Sequence, residues 1–142
     1  MKKRKAEAVW RGKLKDGNGT LKLESGLFES NYSFSSRFES GSGTNPEELL
    51  GAAHAGCFSM ALSNVLAEEG YDPDEIQTEA EVSLGEVDGA FKITGVKLVT
   101  EASVPEITEE EFLEHAEDAK ENCPVSLALR GTDISLEASL SQ

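Results

Sequence analysis

Nineteen consecutive residues, Leu49 to Ala67, contain no Asp, Glu, Lys or Arg. In a chain that is 28% charged, a given window of this length would be charge-free about 0.2% of the time, so something excludes charge there. The flanks mark a helix. Asn45 can cap free backbone amides, Pro46 fits the first helical position, Glu48 stands at the capping-box spacing, and Gly70 is a suitable stop. At 100° per residue Leu50, Ala53, Cys57, Met60, Ala61 and Asn64 fall on one side and Ala55, Phe58, Leu62 and Leu66 on the other. Both sides are apolar, as in a helix buried all round. Gly51, His54, Gly56, Ser59, Ser63 and Asn64 dilute the run and its flanks are acidic, which disfavours a transmembrane span despite the length. A 142-residue chain has few elements with which to surround such a helix, so packing against a symmetry mate is expected.

The rest of the chain is acidic, with 13 Lys and Arg against 27 Asp and Glu and a formal net charge of −14. This balance excludes nonspecific nucleic-acid binding and adhesion to anionic membranes, both of which need cations facing phosphate. Residues 1 to 22 carry eight cations and two acids, so residues 23 to 142 bear a net −20. The Lys2 to Lys5 cluster is followed by no apolar segment of the kind a secretory signal needs. It reads as a solvated strand end on a cytoplasmic protein. With glycine included, the apolar share is about 47%, an ordinary value for one folded domain.

Ala6 to Arg11 and Thr20 to Glu24 read as strands joined by a turn at Asp16-Gly17-Asn18-Gly19. Leu27 to Phe34 is a third strand, and Ser35 to Thr44 reads as a loop carrying Arg37. After the long helix, Ile76 to Val87 and Phe91 to Val104 alternate around Asp88-Gly89 as a second hairpin. Thr108 and Glu111 open a charged helix to about Asn122, Cys123-Pro124 restarts a short helix through Leu129, and Thr132 to Leu140 closes as a strand. The order β-β-β-α-β-β-α-α-β implies an α+β fold with mostly antiparallel sheet. Residues 1–142 are expected to form one domain, with a three-stranded part over about 1–44 and the helix with the second sheet over about 45–142.

The candidates for chemistry are the two cysteines, which lie 66 positions apart and form no disulfide framework. Cys123 opens a helix, where free amides and the dipole favour a thiolate. Cys57, in mid-helix, needs a cation brought from elsewhere. Two buried cysteines acting as small hydrophobes are the alternative. A zinc site is another, because His54, Cys57, His115 and Cys123 are all the Cys and His residues present. His54 and Cys57 share a helix face, but the His115 to Cys123 interval matches no usual ligand spacing. His54 therefore reads as a packed or hydrogen-bonded core histidine and His115 as a surface one.

The stretch from Thr44-Asn45-Pro46-Glu47-Glu48 through Gly51-Ala52-Ala53-His54-Ala55-Gly56-Cys57-Phe58-Ser59-Met60-Ala61-Leu62 resembles the osmotically inducible OsmC branch of the OsmC/Ohr family of thiol peroxidases. Arg37-Phe38-Glu39 upstream and Asn122-Cys123-Pro124-Val125-Ser126 downstream carry the same likeness, which extends from Trp10-Arg11-Gly12 to the final strand. The resemblance implies an intertwined α+β homodimer, with antiparallel sheets packed around two long central helices. It implies that Cys57 is the peroxidatic nucleophile and Cys123 the resolving thiol, that Arg37 faces the peroxidatic sulfur, and that Glu47 holds Arg37. It further implies an organic hydroperoxide substrate, a dithiol reductant such as a lipoylated protein, a role in oxidative and osmotic stress defence, and no flavin, haem or metal cofactor.

The chemistry asks for these residue types. An unperturbed thiol with pKa about 8.5 is roughly 3% ionised at pH 7, so full ionisation gains at most about thirtyfold, or some 2 kcal/mol. The greater part of the role assigned to Arg37 must then be orienting the peroxide and stabilising charge on the departing oxygen. Ten residues separate Glu47 from Cys57, about 15 Å along an α-helix. Either the helix breaks near Gly51, or Arg37 and Glu47 reach Cys57 from the other subunit, and the second is favoured. The competing functions are a non-catalytic redox sensor or apolar-ligand binding module on the same fold, and a small zinc-binding protein.

Overall fold

A computed structural model describes residues 1–141. The chain divides into two compact units, Met1–Leu49 and a second from Leu50 onward. The first is built on an antiparallel sheet of β1 (Ala6–Arg11), β2 (Asn18–Leu23) and β3 (Glu29–Tyr32), in that order. One row across this sheet pairs Trp10 with Gly19 and Gly19 with Tyr32. The aromatic rings flanking the glycine meet with centroids 5.2 Å apart. A Cβ on Gly19 would lie 2.7 Å from each ring, so Gly19 is kept small by packing and lies within the strand. This moves the expected turn: the left-handed backbone is at Gly12, φ 96°, and Asn18-Gly19 opens β2.

The segment expected to be a loop over Ser35 to Thr44 instead opens with a short helix, α1 (Phe34–Phe38). Ser33 Oγ accepts from the Ser36 amide at 3.1 Å, and Ser36 Oγ in turn accepts from the Ser33 amide at 2.8 Å. This is a capping box made with Ser in place of Glu or Gln, which is why its sequence signature is faint.

Helix α2 (Pro46–Glu68) starts as its sequence implies, with Asn45 Oδ1 accepting the Glu48 amide at 2.7 Å. The Glu48 carboxylate does not complete the box; it accepts from the Thr44 hydroxyl at 2.8 Å. The helix runs without a break through Gly51, which removes the first of the two alternatives posed by the Glu47 to Cys57 spacing. A Cβ at Gly51 would stand 3.3 Å from the Ala80 carbonyl oxygen, so this glycine serves close packing. Gly70, at φ 90°, ends the segment.

The second unit contains β4 (Glu75–Val87), β5 (Ala90–Ser103), α3 (Glu109–Asn122), α4 (Pro124–Ala128) and β6 (Asp133–Leu140). The hairpin of β4 and β5 turns at Asp88 and Gly89, both with positive φ, as a two-residue turn of that composition requires. β6 joins the other edge of β5 in parallel register. This one parallel pairing follows from α3 and α4, which carry the chain back across the sheet before β6 begins. Thr108 Oγ1 caps α3 by accepting the Glu111 amide at 3.2 Å, while the Glu111 carboxylate is taken by the Tyr71 hydroxyl.

The core of this unit is a single cluster. Phe58, Leu62 and Leu66 of α2 meet Val96, Leu98 and Ala102 of β5, Phe112, Ala116 and Ala119 of α3, and Cys123. On β5 burial alternates with the pleat, so Lys97, Val99 and Glu101 face outward. The threonines inside are paired: Ser59 donates to Thr78 at 2.7 Å, and Thr100 bonds both Thr78 and the Gln77 carbonyl. Among the described residues, only one side of α2 is covered. Phe58, Leu62 and Leu66 are fully buried, whereas Ala53, Gly56, Met60 and Asn64 are exposed, and all-round burial is not achieved by one chain. The same helix is long and apolar enough to cross a membrane, yet three of its large apolar side chains are fully covered by protein.

Replacing the buried Phe112 by Ala should cost about 3–5 kcal/mol in chemical denaturation, and the neighbouring Leu113→Ala less than about 1.5 kcal/mol. Similar losses would show that α3 is not seated as described.

Candidate active site

Cys57 lies on the fourth turn of α2, on the border between its covered and uncovered sides, and is half-buried. Cys123 is buried at the junction of α3 and α4. Its backbone is extended, at φ −65° and ψ 142°, because Pro124 follows and disfavours helical geometry at the residue before it. The sulfur then serves as the N-cap of α4: the Ser126 amide donates to Cys123 Sγ at 3.4 Å, and Ser126 Oγ lies 3.0 Å from the same sulfur.

The Cys57 thiol neighbours Cys123 and the Val125 backbone, and both act on its titration. The first turn of α4 thus bears on both sulfurs: the Ser126 amide bonds that of Cys123, and the Val125 backbone acts on the titration of Cys57. Burial pushes the Cys57 thiol above its ordinary pKa. The Val125 backbone opposes this by favouring the thiolate, and Cys123 adds to the rise. Within these surroundings Cys57 is held protonated, so the need for an outside cation read from the sequence persists in the structure.

His54 is one turn before Cys57 and fully buried. Its Nε2 lies 2.8 Å from Ser126 Oγ, and its Nδ1 has no partner. Burial lowers its pKa below the usual 6.5, so the ring is neutral at pH 7. His115 is half-buried on α3. Among the described residues no three His, Cys, Asp or Glu side chains come together as a metal site would require.

Arg37 and Glu47 belong to the first unit. The guanidinium donates from Nε to Glu47 Oε1 at 3.1 Å and from Nη2 to Oε2 at 2.9 Å, a bidentate pair. Glu47 is buried, and Arg37 retains 35% of its side-chain exposure. The capping of α1 fixes the backbone of Arg37, and Glu47 is available because its neighbour Glu48 is engaged by Thr44. The guanidinium also lies 5.2 Å from the centroid of the Phe38 ring. It borders an apolar cavity of about 200 Å³ lined by Trp10, Leu14, Tyr32, Phe34 and Phe38.

The structure therefore brings Cys57 to Cys123 and Arg37 to Glu47. Sequence reasoning missed Ser126 and the aromatic lining around Arg37. A signal for Ser126 was present, because Cys123-x-x-Ser126 has the N-cap to N3 spacing. The bond from Ser126 to His54, 72 residues away, had none.

His54 supplies a pH signature. An unfolded imidazole takes a proton near pH 6.5 that the buried ring resists, so the unfolded state binds more protons and stability falls as pH drops below 6.5. The slope should approach about 1.4 kcal/mol per pH unit and be absent in His54→Gln. Equal slopes between pH 6.5 and 5 in the two proteins would contradict the buried, neutral ring.

The OsmC family profile, described as OsmC-like protein, matches residues 39–137. Peroxiredoxin OsmC of Escherichia coli strain K12 is 48% identical over 138 residues, 96% of each chain. The organic hydroperoxide resistance protein OhrB of Bacillus subtilis strain 168 is 41% identical over 101 residues, covering 70% of this chain and 72% of that protein. The crystal structure of Bacillus subtilis OhrB superposes with a TM-score of 0.72 and 30% identity, covering 96% of this chain and 98% of that one. From its sequence and its fold alike, the chain belongs to the OsmC/Ohr family.

Proposed function

We propose that this protein is a thiol peroxidase that reduces organic hydroperoxides to alcohols. The observation that carries the reading is the pair of free thiols, Cys57 and Cys123, which neighbour each other beside the start of α4. The Peroxiredoxin OsmC and organic hydroperoxide resistance names of its relatives support a peroxidase-type oxidoreductase of stress defence.

The cycle begins with the Cys57 thiolate attacking the outer oxygen of ROOH. The O–O bond breaks, the alkoxide leaves as alcohol after taking a proton, and Cys57 becomes a sulfenic acid. Cys123 then displaces the hydroxyl from that sulfur, giving a Cys57–Cys123 disulfide and water. A dithiol, such as a protein-bound lipoyl group, restores both thiols by exchange. A cytoplasmic setting suits a pair that must be reduced between turnovers. No flavin, haem or metal takes part in these steps.

Arg37 answers the need for positive charge at Cys57. Its guanidinium, held by two bonds to Glu47, offers remaining N–H groups to the peroxide and stabilises the departing oxygen. The aromatic cavity beside it suits the organic part of the substrate. Because α2 is continuous, Glu47 is about 15 Å from Cys57 along the helix, and the site is assembled from two subunits. The uncovered stripe supports this, since the small Ala53 and Gly56 let a symmetry-related helix approach closely and the exposed Met60 offers it an apolar contact. The protein is accordingly a homodimer whose activity requires both chains.

Cys57→Ser should abolish consumption of cumene hydroperoxide, and Cys123→Ser should accumulate sulfenic acid on Cys57, detected by mass after dimedone trapping. Sustained wild-type turnover by Cys123→Ser with a dithiol would remove Cys123 from the cycle. Full turnover by a monomer, verified by sedimentation at the assay concentration, would refute the two-subunit site.

A further inference from the structure

Ser126 and His54 form a buried chain ending on Cys123, and the steps above leave both unused. His54 is fully buried, Ser126 is 4% exposed and Cys123 is 1% exposed, so water does not compete for these bonds. The distances are 2.8 Å from His54 Nε2 to Ser126 Oγ and 3.0 Å from Ser126 Oγ to Cys123 Sγ. Among the described residues His54 has no other side-chain hydrogen-bond partner, and its Nδ1 is orphaned. A polar ring with an unsatisfied atom, in the middle of a charge-free helix, is costly, and filling space alone does not account for it.

We propose that His54, acting through Ser126, is a positioning residue that holds Cys123 ready to close the disulfide with Cys57. This inference rests on the thiol-peroxidase reading above. The orphaned Nδ1 indicates the direction of the bonds. A buried nitrogen left without a partner is tolerated more readily as a bare acceptor than as an N–H, which puts the ring proton on Nε2. Nε2–H then donates to Ser126 Oγ, and the Ser126 hydroxyl proton is directed at Cys123 Sγ. Together with the Ser126 amide, the sulfur receives two donors from one residue.

This arrangement suits the condensation step. Cys123 attacks the sulfur of the Cys57 sulfenic acid, the S–S bond forms as the S–O bond breaks, and the hydroxide leaves as water with the proton that Cys123 gave up. Two fixed donors stabilise charge on the attacking sulfur and fix the orientation of its lone pairs. A free serine hydroxyl could rotate away from the sulfur; one that accepts from Nε2–H is restrained. Peroxide attack by Cys57 does not draw on this chain, so the two steps should separate kinetically.

The test is a rapid-quench reaction with one equivalent of cumene hydroperoxide, in which mass spectrometry follows the dimedone-trapped sulfenic acid and the disulfide separately. Ser126→Ala and His54→Leu should lower the ratio of the condensation to the oxidation rate constant by roughly 10- to 100-fold, while His54→Gln, which keeps an N–H near the Nε2 position, stays within about threefold of wild type. An unchanged ratio in Ser126→Ala overturns the proposal. Equal loss of both steps in that variant also overturns it, because that marks a general structural defect. If His54→Gln is as slow as His54→Leu, restoring a hydrogen-bonding group at that place does not restore the step, which refutes the positioning role. Wild-type protein that forms neither sulfenic acid nor disulfide would overturn the peroxidase reading itself, an outcome seen before any variant is made.

Discussion

The burial of one side of α2 in the second unit determines the position of both thiols. Phe58, Leu62 and Leu66 fix the rotation of the helix against β5 and α3. With that rotation set, His54, four residues before Phe58, points inward, while Cys57 is left at the border where it meets α4. Burial of apolar surface has no directional preference of its own. It locates polar and reactive groups here because helical periodicity ties them to the residues that are buried.

The end of α3 works on a smaller scale. Pro124 imposes extended backbone on Cys123, and this ends one helix and starts the next. The thiol that results is a helix cap, so its sulfur faces the free amides of α4. A cap is usually Ser, Thr, Asp or Asn. Cysteine in that role places a redox-capable atom where hydrogen-bond donors already converge, and the neighbouring Val125 amide is available to Cys57. Arg37 and Glu47 follow similar logic in the first unit: a serine capping box sets the backbone of Arg37, and Thr44 occupies Glu48, leaving Glu47 to the guanidinium.

Electrostatics in the chain favour an apolar interior under an acidic surface. The net −20 over residues 23–142 belongs largely to outward strand positions and to the exposed faces of α3, while α2 carries none between Leu49 and Ala67. Lys97 and Glu137 pair across β5 and β6 at 3.2 Å, but both are solvated, so this contact adds little to stability. The proposed chemistry therefore depends on one guanidinium in an otherwise cation-poor region, held by a buried carboxylate.

Much of this was legible in the sequence because it is local or periodic. The bounds of α2 followed from Asn45, Pro46 and Gly70, the second hairpin from alternation around Asp88-Gly89, and the α3 to α4 junction from Cys123-Pro124. The likeness around Cys57 indicated the family and suggested which residues to test. Other features depend on residues distant in the chain, and no local rule encodes them. Gly19 belongs to a strand and not a turn because Trp10 and Tyr32 close over it. The contact between the two thiols joins positions 66 apart, and the His54 to Ser126 bond joins positions 72 apart. Spacing and composition determine which elements form and which sides they bury. Only tertiary packing decided which buried polar atoms meet, because a hydrogen bond depends on ångström-scale placement of groups brought together by the whole core.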